Sequence, residues 1–113
     1  MNDSLEVGNG DVLPLDEYGH LRNRDDWSPV VADRMAEQDG IELSNQHWLV
    51  IEILREYFDE FGIESPMRVL VSRLKMRGSG AWANSRALYQ LFPEGPVRQG
   101  SRYGGLPIPL SCI

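Results

Sequence analysis

Thiols are almost missing from this chain: its 113 residues hold a single cysteine, Cys112. A disulfide within the chain is therefore excluded, and one cysteine with two histidines is too few ligands for a structural zinc site. Neither a metal nor a cofactor is expected. No apolar run approaches the roughly 18 residues needed to span a bilayer, and the acidic first residues do not read as a signal peptide. The expected compartment is the cytoplasm, where a thiol stays reduced, and no membrane partner is expected. Phosphate-binding loops, dinucleotide fingerprints and nucleophile elbows are absent, as are repeats, low-complexity tracts and interdomain linkers. A length of 113 residues with an ordinary apolar fraction implies one domain, 1–113, with a modest core.

Positive charge is scarce in the first part of the chain and negative charge in the second. Met1–Ser65 carries 16 acidic residues against 4 basic ones, a net of −12, while Pro66–Ile113 carries 1 against 7, a net of +6; together they return the overall −6. Such a division implies internal pairing, with the remainder giving the second half a positive face suited to acidic proteins or to RNA phosphate. A nucleic-acid-binding helical domain is one reading of that half, but the net charge opposes tight sequence-independent binding.

What is present is mostly helical periodicity. Met1–Gly10 is polar and reads as loose. Val12–Leu15 and His20–Arg22 flank Asp16-Glu17-Tyr18-Gly19, which predicts a small hairpin with a four-residue turn. Ser28-Pro29 predicts a helix to about Gln38 with Val30, Val31, Arg34 and Met35 inward and Trp27 as a staple. Ser44 caps the strongest helix, which ends at Gly62. Its stripe of Trp48, Ile51, Leu54, Tyr57, Phe58 and Phe61, widened by Leu49, Val50 and Ile53, predicts packing on more than one side. His47 in its first turn reads as structural, bonding a nearby backbone group.

Ser65-Pro66 opens a third helix to about Met76, buried through Met67, Leu70, Val71 and Leu74, with its basic residues in solvent. Asn84 or Ser85 starts a fourth, inward through Leu88, Leu91 and Phe92. Pro93–Pro96 is a corner, and Val97–Tyr103 forms further helical turns. The fold class is mainly α: a compact orthogonal bundle of four to five helices with a small N-terminal β-hairpin.

The last eight residues, Leu106–Ile113, hold the thiol. Pro107 and Pro109 fix φ and hold their predecessors extended, while Gly104-Gly105 reads as a swivel. Residues 104–113 then form a mobile C-terminal arm able to reach about 30 Å when extended. The terminal carboxylate stands one residue from Cys112 and repels a thiolate. Arg98 and Arg102 are the nearest cations in sequence, and Tyr103 is placed to pack the root of the arm.

Three runs together resemble the DsrC/TusE family: His47-Trp48-x-x-Ile51-x-x-Leu54-Arg55-Glu56-Tyr57; Tyr89-x-Leu91-Phe92-Pro93-x-Gly95-Pro96-x-x-Gln99; and Gly105-Leu106-Pro107-x-Pro109-x-x-Cys112. The likeness extends from about Val12 to the end, and the terminal motif is its specific part. It implies a helical bundle whose mobile arm carries sulfur as a persulfide on Cys112. TusE-like members take sulfur from a TusBCD-type donor and pass it to the tRNA 2-thiouridine synthase for wobble uridine thiolation. DsrC-like members serve dissimilatory sulfite reductase or sulfur oxidation and have a second arm cysteine eleven residues before the penultimate one. That position is Ser101 here, so no internal disulfide can release a bound sulfur. The resemblance is therefore closest to the single-cysteine, TusE-like members: a carrier rather than a stand-alone multiple-turnover enzyme. Met76–Ala83, with Trp82, departs from the family pattern.

Overall fold

Asn9 and Gly10 both take positive φ, 54° and 80°, the two-residue geometry whose twist matches that of paired strands. They join β1 (Ser4–Gly8) to β2 (Asp11–Pro14), antiparallel with a bulge between Glu6 and Gly8. The structure, a computed structural model, describes residues 3–113; Met1 and Asn2 of the stretch expected to be loose lie outside it. The hairpin is thus upstream of its expected place, and Ser4–Gly8 is strand. Of the expected pairing around Asp16–Gly19, one bridge, Leu15 to Leu21, is present. Asp16 organises that turn by accepting the Tyr18 and His20 amides at 2.9 and 3.0 Å. Leu5, Leu15 and Leu21 are buried, so the hairpin is a lid on the core.

Five helices follow: α1 (Pro29–Gln38), α2 (Asn45–Phe61), α3 (Met67–Met76), α4 (Ser85–Leu91) and α5 (Pro96–Tyr103). Their starts obey local chemistry. Ser44 and His47 form a reciprocal capping box on α2, and Asn84 accepts the Ala87 amide at 2.9 Å to cap α4. At α3 the cap position falls on Pro66 rather than Ser65; Ser65 is buried, and its hydroxyl donates to the Pro66 carbonyl at 3.0 Å. His47 is structural as expected, its Nε2 lying 2.8 Å from the Leu91 carbonyl oxygen.

The inward faces differ from expectation in places. On α1, Ala32 and Ala36 are buried with Val31 and Met35, while Val30 and Arg34 face out. On α2, Phe61 is exposed because the last turn runs beyond the core, and Met67 and Val71 of α3 are only partly covered. Trp82 is partly buried against the core.

α2 packs against both α3 and α5, and α5 touches α1, α2 and α4. Short as it is, α5 is the hub. A Cβ on Gly100 would stand 2.7 Å from Leu54 Cδ1, so a larger residue there would have to displace that buried side chain where α5 packs on α2. The charge division is partly internal, as expected: Arg73 pairs with Glu60, Arg77 with Glu52 and Glu56, and Arg102 with Asp39. Among the described residues, Arg68, Lys75, Arg86 and Arg98 make no such pair, leaving a basic surface on α3, α4 and α5.

α5 is fixed by a polar knot inside the core. The Tyr103 hydroxyl donates to Asp39 Oδ2 at 2.5 Å and accepts from Gln99 Nε2 at 2.9 Å, and Arg102 closes on the same carboxylate. Burial first, then the bond to Asp39, pushes the Tyr103 phenol well above its ordinary pKa. Tyr103→Phe removes a hydroxyl that satisfies the buried Gln99 and the half-buried Asp39. It is expected to destabilise the fold by about 1–3 kcal/mol in urea unfolding.

Candidate functional site

α5 leads directly into the cysteine-bearing segment, and the first surprise is at the joint. Gly104 and Gly105 are buried. Gly105 has φ +72°, and a Cβ there would lie 2.5 Å from Cδ1 of Trp27. The expected swivel is a packed corner whose glycines make room for an indole. Trp27 Nε1 donates to the Tyr103 carbonyl at 2.8 Å, and the Arg55 guanidinium stacks 3.7 Å from the centre of the Trp27 ring while donating to the Gly104 carbonyl at 2.6 Å. The Leu106 amide donates to the Ser101 carbonyl at 2.9 Å.

His20, on the hairpin side, has its Nδ1 2.8 Å from the Leu106 carbonyl oxygen. Burial holds the His20 imidazole below its usual pKa, although that bond and the Asp16 charge oppose the shift. The unfolded chain takes up this proton near pH 6.5, the folded one only at lower pH. His20 therefore contributes stability that is complete above about pH 6.5 and is lost as pH falls through the folded value. Denaturant midpoints between pH 7 and pH 5.5 are expected to fall less steeply in His20→Gln than in the unaltered chain.

Beyond Leu106 the chain stays extended across the body. Ile108 and Pro109 are buried and Pro107 is exposed, and then Leu110–Cys112 coils into a single 3-10 turn closed by the Cys112 amide on the Pro109 carbonyl at 2.9 Å. Leu110 and Ile113 are largely in solvent, at 75% and 69% exposure, and Cys112 is half-buried. The arm therefore lies docked on the body over residues 104–109 and presents its tip at the surface.

Cys112 stands in an open cleft of about 370 Å³ between the starts of α3 and α5. Pro66, Met67, Gly95, Pro96 and Arg98 line it, with Tyr89 at the side. Of the expected site residues, the fold brings Cys112 and the exposed Arg98 to one cleft. Arg102 and Tyr103 are tied to Asp39 instead, so Arg102 is a structural cation, and Tyr103 anchors the arm's root through its backbone carbonyl. Trp27, Arg55 and His20 hold the arm without having been legible as doing so. The stacked Arg–Trp pair joins residues 28 positions apart, a separation to which local spacing is blind.

The cleft holds no histidine. A thiol without a neighbouring base is not built as a self-sufficient Cys–His nucleophile, but it can form and exchange S–S bonds with a sulfur that another molecule brings. Among the described residues, no group of three or more His, Cys, Asp or Glu side chains is placed to hold a metal ion, and no helix is long and apolar enough to cross a membrane.

The chain is similar to known proteins over almost all of its length. A family model described as "DsrC like protein" matches residues 7–113. Sulfurtransferase TusE of Yersinia pseudotuberculosis serotype I is 39% identical over 104 residues, 92% of this chain and 96% of the relative. Sulfurtransferase TusE of Photorhabdus laumondii is 38% identical over 107 residues, 95% of this chain and 96% of the relative. The solution structure of DsrC from Allochromatium vinosum superposes with a TM-score of 0.85 at 44% identity, covering both chains fully. The oxidized gamma-subunit of dissimilatory sulfite reductase (DsrC) from Archaeoglobus fulgidus gives 0.85 at 36% identity, covering 97% of this chain and 99% of that one. Matched by that family model over residues 7–113 and superposing along its whole length on a solved DsrC structure, the chain belongs to the DsrC-like family.

Proposed function

We propose that this chain is a sulfur-relay protein: Cys112 accepts a sulfane sulfur from a TusBCD-type donor and passes it to a tRNA 2-thiouridine synthase. The observation that carries the reading is the half-buried Cys112 at the tip of the arm, in an open cleft that contains no histidine. The similarity to sulfurtransferases named TusE supports it.

The chemistry balances without an external oxidant. The Cys112 thiolate attacks the outer sulfur of a donor persulfide; one S–S bond forms as the other breaks, the donor cysteine leaves as a thiolate, and Cys112 becomes Cys–S–SH. Handing the sulfur on repeats the exchange with Cys112 as the leaving group. Ser101 favours this over internal release, because a hydroxyl cannot displace the persulfide by forming a disulfide.

A second reading is a DsrC-like carrier or accessory subunit of sulfite reductase, favoured by the 44% identity to Allochromatium vinosum DsrC and opposed by Ser101. The deciding experiment loads the protein with labelled sulfur from a cysteine desulfurase and donor, then offers it the synthase with tRNA. Label in the wobble uridine supports the relay. A loaded protein that keeps its sulfur there but yields it to sulfite reductase supports the second reading.

A further inference from the structure

Between Pro109 and the end of the chain, the tip has little to hold it. Leu110 and Ile113 project into solvent, and two of the tip's own amide bonds are local, Cys112 to Pro109 and Ile113 to Leu110. Among the described residues, its polar contacts with the body converge on one carboxylate. The Ser111 hydroxyl donates to Glu64 Oε2 at 2.8 Å, and the Ser111 amide reaches Oε1 at 3.4 Å.

Glu64 is well placed to be a fixed post. It sits in the short link from α2 to α3, where the Gly62 amide closes on the Phe58 carbonyl at 2.7 Å and Ser65 is buried with its hydroxyl on the Pro66 carbonyl. The chain is thus restrained two residues before Glu64 and one after it, and the same link forms one wall of the Cys112 cleft. Ser111 directly precedes the cysteine, so whatever holds Ser111 sets where the thiol points.

We propose that Glu64 and Ser111 form a clip that parks the thiol-bearing turn in the cleft and that must open for Cys112 to reach a partner's sulfur. Glu64 is in this sense a positioning residue: it touches Ser111, not the reacting sulfur. The proposal rests on the reading of Cys112 as the carrying thiol, but the clip itself is a property of the free protein. Parked, the thiol is half-covered by the starts of α3 and α5; released, the turn swings about the Ile108–Pro109 anchor and the sulfur is bare. A partner that supplies its own hydrogen-bond donor to the Glu64 carboxylate would open the clip on docking, coupling exposure of the thiol to the presence of a recipient.

The test is the rate of Cys112 alkylation by iodoacetamide, followed by intact mass on the full chain. Glu64→Ala and Ser111→Ala are each expected to raise it about two- to tenfold, the range that one or two partly exposed hydrogen bonds can supply. Glu64→Gln, which keeps an acceptor for the hydroxyl, should fall between. Because Glu64→Ala already removes the hydroxyl contact that Ser111→Ala removes, together with the weaker amide contact, the double Ala variant should react no faster than Glu64→Ala alone. Ser111 is exposed, so its variant keeps the fold intact whatever happens to Glu64. Unchanged or slower alkylation in both single variants, or a double variant whose effect is the product of the two, overturns the clip. Either result leaves the relay untouched, since a small reagent and no sulfur donor is used.

Discussion

Cys112→Ser is expected to abolish sulfur uptake completely. After incubation with a cysteine desulfurase, cysteine and a persulfide donor, the unaltered chain should gain the mass of one sulfur atom and the variant none. The effect is all-or-none because the chain has no second thiol to take over. A serine hydroxyl is barely ionised at neutral pH and forms no stable bond to sulfane sulfur, whereas a cysteine thiolate is both the nucleophile and, later, the leaving group. Stability should change by less than about 0.5 kcal/mol, since the half-buried side chain leaves no core cavity when one atom is exchanged. A native melting curve with no uptake separates chemistry from folding. Undiminished uptake by the serine variant would remove Cys112 from the relay.

The elements that could be read from the sequence were those whose causes are local. The Ser44–His47 box, Asn84 at the head of α4 and the glycines after α1 and α2 act within a turn of the helix they begin or end. The relationship of the chain was legible for a related reason: its terminal motif concentrates prolines, glycines and one cysteine in a few positions. The hairpin was misplaced because two adjacent turn signals compete there. Asp16–Gly19 offers a plausible turn, but Asn9-Gly10 supplies two successive positive-φ residues and takes the longer pairing.

The arm was harder, because what positions it is distant in sequence. Trp27 reaches Tyr103 across 76 residues and His20 reaches Leu106 across 86. Neither partner carries a local sign of that role; Trp27 before a helix reads as a staple and His20 as the start of a hairpin strand. Arg98 and Arg102, read alike from their nearness to the arm, separate on α5: one lines the thiol cleft and the other enters the Asp39 knot.

Gly105 is where the two views of the arm make opposite predictions. If Gly104-Gly105 were a free swivel, alanine at either position would cost little and could even stabilise the fold by restricting the unfolded chain. In the docked arm the outcome is different. An alanine at Gly105 must hold φ +72°, which costs about 1 kcal/mol or more for an L residue. Its Cβ must also find room 2.5–2.7 Å from three atoms of Trp27. Overpacking of that kind costs roughly 1–3 kcal/mol, and the indole cannot step aside cheaply. Moving it breaks its bond to the Tyr103 carbonyl and the Arg55 stack.

Gly105→Ala should therefore lose about 2–4 kcal/mol, roughly 10–25 °C in melting temperature for a domain of this size, and should speed Cys112 alkylation as the arm lifts. Gly104→Ala is the internal control. Its φ is −82°, and its Cβ would meet the Gly100 carbonyl oxygen at 3.2 Å and Arg55 Cγ at 3.3 Å, contacts that a small shift relieves. Its loss should be clearly the smaller of the two. Equal and slight effects at both glycines would mean that the corner is open in solution and the arm is not held by Trp27. A steep loss confined to Gly105 would mean that the same indole fixes both the fold's last helix and the reach of the thiol.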